Sequence, residues 1–399
     1  MKKLLALLLS LTTLGATAQI RFLQVGDIED YELVLKSARQ TNQMLLVALH
    51  DGSGNFRKMY SDGIFDNPGV QQNATPYLKM AINIQEPMGA RFSQIFSISE
   101  FPSFFLMNDQ EFVVDVLEGY QSSNDLQKAL GDASKEPYRY DSLLVKYNQH
   151  SLSDKEWIEI LELYALNFDY AQTVRLAQEF FNEHNEADLL QKPYAPLLAQ
   201  YGVNLETSYP QLTISNASLV KQNASNFNLE DFLDLAIEYN LDRAIISGDS
   251  SMVETICQNL LVEPLVKKDS FSYARLALHR EFAMQSEKFG LYTEAFIQHH
   301  QKEAPSTAAD FLFDEAYEIV ENFNSASALS SALKMANASD QKLASFRAKM
   351  LEAYIAYLQK DYKTSDRFIQ EARPLIKTPE QLRSLEKLQG LIKEELSDQ

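Results

Sequence analysis

One short run gathers groups able to do chemistry. His50-Asp51-Gly52-Ser53-Gly54-Asn55 puts an imidazole, a carboxylate and a hydroxyl within four residues of one another. A serine beside a histidine base is the raw material of a hydrolytic nucleophile, with Ser53 attacking and His50 taking its proton. The plainer alternative is a strand-to-helix turn in which Asp, Ser and Asn cap backbone groups. No nucleophile-elbow pattern and no second triad cluster supports the hydrolase. The histidines, His50, His150, His184, His279, His299 and His300, show none of the common metal-ligand spacings. His299-His300 reads as a solvent-facing pair near a helix end. The chain has one cysteine, Cys257, which excludes an intramolecular disulfide, a dithiol centre and a cysteine-built zinc site. Cys257 falls on a helical stripe between Ile256 and Leu260, so burial is expected; exposure would suit an intermolecular disulfide. No catalytic residue, metal or cofactor is therefore expected.

The elements around this run change period several times. Asp27 to Thr41 carries apolar residues at Ile28, Tyr31, Val34, Leu35 and Ala38, a helix stripe with Asp27 as cap. Met44 to Leu49 is a continuous apolar run fit for a strand buried on both faces. His50 to Asn55 turns, and Phe56 to Tyr60 begins a helix. Asn67-Pro68-Gly69 punctuates the chain. Tyr77 to Ile84 predicts a strand and Gly89 to Phe96 a short helix. Ser103 to Met107 and Phe112 to Leu117 predict an antiparallel hairpin, and Ser123 to Leu130 a closing helix. This order points to a sheet covered by helices.

Over residues 27 to 131 the sequence resembles the thioredoxin family. The family's redox motif is two cysteines separated by two residues, followed by a basic residue and a methionine. Its cysteine positions fall here at Ser53 and Phe56, with Arg57 and Met59 in the flanking pattern. The family's cis-proline matches Pro102 in Phe101-Pro102-Ser103-Phe104-Phe105, and Gly119 matches the glycine after the hairpin. Both redox positions are replaced. Thiol-disulfide exchange needs a thiolate and a resolving thiol, so dithiol oxidoreductase activity is expected to be absent. In that family extended peptides lie beside the proline. The resemblance thus implies a peptide-binding surface at Phe56, Arg57, Phe101 and Pro102, where backbone groups next to the proline pair with a strand. The plainer alternative is that Phe56 and Phe101 fill the gap.

Residues 1 to 18 read as a secretory signal peptide. Lys2 and Lys3 are followed by the apolar stretch Leu4 to Leu14, with Ala16-Thr17-Ala18 at the cleavage positions before Gln19. The stretch is short for a membrane anchor, and no cysteine stands near residue 19 for lipidation. The leader resembles those of exported Bacteroidetes proteins. The expected address is the periplasm or the exterior. No later segment has eighteen consecutive apolar residues. Cleavage leaves 34 basic against 55 acidic residues, a net charge of -21, which repels nucleic acid and anionic lipid and favours basic or neutral partners. With one cysteine the core must hold without covalent staples.

From Pro137 onward helix formers dominate. The periodicity predicts helices over 138–147, 153–164, 169–184, 190–201, 228–239, 241–247, 250–260, 270–284, 289–301, 307–322, 326–336, 339–359, 362–373 and 379–395. Ser153-Asp154-Lys155-Glu156 fits a reciprocal capping box. Residues 202–227 are polar and turn-rich, a long connection or a subdomain split. Tyr164 to Tyr170 and Tyr357 to Tyr362 resemble the turn inside a tetratricopeptide-type hairpin, with Ala353 and Ala356 small enough for close helix approach. Nineteen Tyr and 23 Phe would serve a concave aromatic groove, but stripes such as Phe311-Tyr317 and Tyr354-Tyr357 are expected to be core. The reading is a signal peptide (1–18), an α/β thioredoxin-like domain (19–131) and an all-α tetratricopeptide-like region (138–399, with a possible subdivision near 202–227). The expected role is a non-catalytic exported protein-binding or assembly factor. A peptide-binding chaperone-like factor using the Phe56/Pro102 surface and a hydrolase with an unrecognised site are the rivals. The expected partner is a protein or peptide, not nucleic acid; a small-molecule or glycan ligand stays open.

Overall fold

The computed structural model describes residues 20–397 other than 53, 97, 263 and 264. The leader and Ser53 thus lie outside the described residues. The chain divides into two compact units, residues 1–180 and 181–399.

The first unit is built on a mixed five-stranded sheet. The strands are β1 (Leu23–Gln24), β2 (Met44–His50), β3 (Tyr77–Asn83), β4 (Ser103–Met107) and β5 (Val113–Glu118), ordered β1-β3-β2-β4-β5. β3 is parallel to β1 and β2; β4 is antiparallel to β2 and β5. The apolar run of β2 is explained by two cores. Leu46 and Ala48 face one side with Phe104 and Leu106, while Leu45, Val47 and Leu49 face the other with Phe105 and Met107. A strand whose two faces are both covered needs no polar alternation.

Helix α1 (Ile28–Thr41) is capped as expected: the Asp27 carboxylate accepts from the Asp30 N–H at 2.9 Å. α2 (Gly54–Ser61) follows the turn. α3 (Pro68–Asn73) is a correction to the reading of Asn67-Pro68-Gly69 as punctuation. The Asn67 side chain accepts from Gly69 and Val70, and Pro68 occupies the first helical turn, where its missing N–H costs nothing. α4 (Pro87–Ile95) packs on the α1 side of the sheet and α5 (Ser123–Ala133) on the opposite side, where Tyr77 donates to the Leu130 carbonyl at 2.8 Å. Strand β1 has only two residues, too few to display a period.

The first unit continues into helices α6 (Arg139–Asn148), α7 (Asp154–Asn167) and α8 (Tyr170–Asn182). Ser153 and Glu156 form the reciprocal capping box. Asn167 brackets Val113 of β5, accepting its N–H at 2.6 Å and donating to its carbonyl at 2.9 Å. This amide covers part of an edge strand that would otherwise present open backbone groups.

The second unit is all-α among its described residues. Its elements are α9 (Glu186–Leu189), α10 (Ala195–Tyr201), α11 (Tyr209–Ser215), α12 (Ala217–Asn223), α13 (Leu229–Ser247), α14 (Ser250–Leu260), α15 (Phe271–Ser286), α16 (Gly290–His299), α17 (Pro305–Asn322), α18 (Ala326–Lys342), α19 (Phe346–Leu358), α20 (Tyr362–Ala372) and α21 (Pro379–Ser397). The turn-rich stretch 202–227 holds two short helices, α11 and α12. The two helices expected over 228–247 are one, α13, which ends at Gly248 with φ +64°, a left-handed position glycine takes without strain. Serine sets the next boundary: Ser345 caps α19 by accepting from the Ala348 N–H, so α18 extends to Lys342.

Successive helices pair as hairpins, α17 with α18 and α19 with α20. At the α19–α20 turn the Asp361 side chain accepts from the Thr364 N–H, and Tyr362 packs back on Tyr357 at 5.9 Å. Ala353 and Ala356 are buried, and the Ser365 hydroxyl donates to the Ala353 carbonyl at 2.6 Å. The aromatic stripes are not all core: Phe311, Tyr317 and Tyr354 are 47%, 46% and 42% exposed. His300 departs from expectation in the other sense. It is buried, stacked on Phe311 at 4.8 Å.

Candidate functional site

The site is built from the end of β2 and the start of α2. His50 is the last residue of β2, beside Asn83 of β3. Gly52 then takes φ +77°, a turn open to glycine. This places the Gly52 N–H on His50 Nδ1 at 3.2 Å. With Nδ1 accepting, the proton of the neutral ring resides on Nε2. Nε2 is buried and has no hydrogen-bond partner among the described residues. Burial also holds the His50 pKa below the ordinary histidine value. In this arrangement the imidazole is neutral, and its one basic nitrogen is occupied.

Phe56, one turn into α2, turns inward. It is 8% exposed, and its ring stacks flat on His50 with centroids 5.0 Å apart and planes 9° apart. Phe22, Tyr60 and Phe65 meet its edges at 5.6, 5.6 and 6.0 Å. Arg57, the next residue, is exposed. The Phe101–Pro102 peptide is cis and Pro102 is buried, while Phe101 is half-buried. Asn55 joins the two segments: its side-chain amide donates to the Phe101 carbonyl at 3.4 Å. The structure therefore brings His50, Asn55, Phe56, Phe101 and Pro102 to one end of the sheet. Arg57 stands at its surface and Ser53 outside the described residues. Asn55 was visible in the sequence only as a turn residue.

Cys257 lies in α14 and is 1% exposed. Burial pushes its thiol up to about 11, with the Glu254 charge adding to the shift. Nearby, Glu254 pairs with Arg275 and accepts from His279 Nε2 at 2.9 Å. Among the described residues no group of three or more His, Cys, Asp or Glu side chains is arranged to hold a metal ion. No described helix is long and apolar enough to cross a membrane.

Two polar clusters escaped the sequence reading. Lys349 of α19 sits 2.9 Å from Asp340, 3.0 Å from Glu352 and 2.9 Å from Glu371, joining α18, α19 and α20. Only the Lys349/Glu352 spacing of three residues hinted at it. A second cluster, of tyrosines, lies where α6, α7 and α8 meet; its members are spread over 140–179, and no local motif connects them.

No protein-family model matches the chain, and no curated protein matches it.

Proposed function

We propose that this chain is an exported, non-catalytic binding or assembly factor. In this reading residues 19–131 are a thioredoxin-family module that has lost its redox centre, and the helical region is a tetratricopeptide-like scaffold. The observation that carries the reading is the fate of the redox positions. The chain's one thiol is buried in α14, and Phe56 fills the second cysteine position as part of the core. A ring stacked on His50 and packed by three aromatic edges favours a rigid surface over a reactive centre. The leader supports an address in the periplasm or outside the cell.

The sheet end offers Arg57 and Phe101 as contacts for a protein or peptide. Two measurements test this. In an insulin-reduction assay the protein gives no turnover above buffer; turnover there rejects the redox-inactive assignment. For binding, the protein is immobilised against envelope extract beside an Arg57→Ala/Phe101→Ala double variant. Loss of one defined, saturable partner in the variant supports the surface, and undiminished capture removes it. Phe56→Ala is unsuited to the purpose, because emptying that core position costs about 3–5 kcal/mol of stability by itself.

A further inference from the structure

Helices α6, α7 and α8 line a half-open cavity of about 180 Å³ within the first unit. That is below the roughly 300 Å³ at which sites for drug-sized ligands begin, and it suits a group of about one side chain. Tyr140, Tyr147 and Tyr164 are among its lining residues, with Leu176 apolar beside them. Each tyrosine is braced by another aromatic ring. Tyr140 stacks on Phe112 at 4.3 Å, Tyr164 on Phe168 at 4.0 Å, and Tyr147 meets Trp157 edge-on at 5.6 Å. The aromatic lining is therefore held in place before any ligand arrives.

Two opposite charges from α8 complete the lining. Glu179 accepts a hydrogen bond from the Tyr147 hydroxyl at 2.5 Å, a contact that pushes the phenol up to about 12. Arg175 is exposed, and its charge opposes that shift, so it lies within electrostatic reach of the same pair. Residues four apart share a helix face, and Arg before Glu is the weaker order for a helix ion pair. Here Glu179 turns to Tyr147 instead, and Arg175 has no ion pair among the described residues.

We propose that this cavity binds a free α-amino acid with an aromatic side chain. The ring enters among the three tyrosines, the carboxylate meets Arg175 and the ammonium meets Glu179. This assignment goes beyond the binding role argued for the sheet end and does not depend on it. Aromatic faces favour an aromatic guest, and the two opposite charges one turn apart match the two ends of a zwitterion.

Calorimetric titration of the purified protein tests this with L-phenylalanine, N-acetyl-L-phenylalanine, L-phenylalaninamide and L-alanine. L-phenylalanine binds at one site. Blocking either end weakens it by about tenfold, the cost of one charge-assisted contact, and L-alanine binds more weakly still. Arg175→Gln, at an exposed position, repeats the loss for L-phenylalanine while thermal melting stays unchanged. Equal binding of the acetylated compound would assign the cavity to polypeptide C-termini and overturn the zwitterion proposal. Absence of binding to folded protein, or undiminished binding by Arg175→Gln, overturns the site altogether.

Discussion

At the scale of single residues, burial has taken the chemistry out of the groups that looked reactive. Cys257 shares an α14 face with Val253, Ile256 and Leu260, all buried. A thiol held at about 11 by burial has about a hundredfold less thiolate at neutral pH than one at the ordinary value of 9. Labelling of native protein with a thiol reagent at pH 7.5 is therefore expected to be slower than that of a free peptide by at least this factor. It should accelerate only in denaturant. Rapid native labelling would show that α14 opens locally. His50 follows the same logic in part: its half-buried ring, stacked on Phe56, has its pKa lowered by the surroundings that put Phe56 in the core. The helical position of Cys257 was legible from its neighbours in sequence. The inward turn of Phe56 was not, because it depends on Phe22 and Phe65, which arrive from other segments.

At the scale of elements, the Lys349 cluster shows how α18, α19 and α20 are tied. One ammonium serves three carboxylates, and Glu352 is completely buried. Burial raises the Glu352 pKa, while Lys349 acts in the opposite sense. Removing the lysine leaves the buried Glu352 carboxyl without its counter-charge, a change that costs about 3–5 kcal/mol. Lys349→Met should lower the urea midpoint accordingly, and adding Glu352→Gln should recover part of the loss. Additive penalties from the two changes would mean that the residues act independently. The sequence displays helices through their apolar period, and so α17 to α21 were legible, although the α18–α19 boundary fell six to seven residues later than expected. The cluster was not, because Asp340, Lys349 and Glu371 meet only after three helices pack. The same reason hid the tyrosine cavity. Local chemistry misled once: Asn67-Pro68-Gly69 suits a turn, but a capping Asn followed by Pro also starts a helix.

At the scale of the whole molecule, charge and burial together set the response to acid. Burial lowers the pKa values of His50 and His279, so the unfolded chain binds these protons more readily than the folded one. Their contribution to stability is present above the ordinary histidine value near 6.5 and is lost as pH falls through that region. Glu156 is held down at about 2 by Lys146 and Ser153, and Glu254 is lowered chiefly by Arg275. Both contributions are present above the ordinary glutamate value and are lost as pH falls toward the folded values. Glu352 and Asp115 are raised by burial and act in the opposite sense, favouring the fold at low pH. The net charge of -19 also shrinks as pH approaches the isoelectric point near 4.8, which relieves self-repulsion and reduces solubility. The histidine loss therefore comes first, before most carboxylates titrate. Urea midpoints measured between pH 7.5 and 5 should fall, and His279→Gln should flatten that part of the curve. Its neutral amide can still donate toward Glu254 but cannot take up the histidine proton. A variant curve parallel to the wild type would place the acid sensitivity elsewhere in the chain.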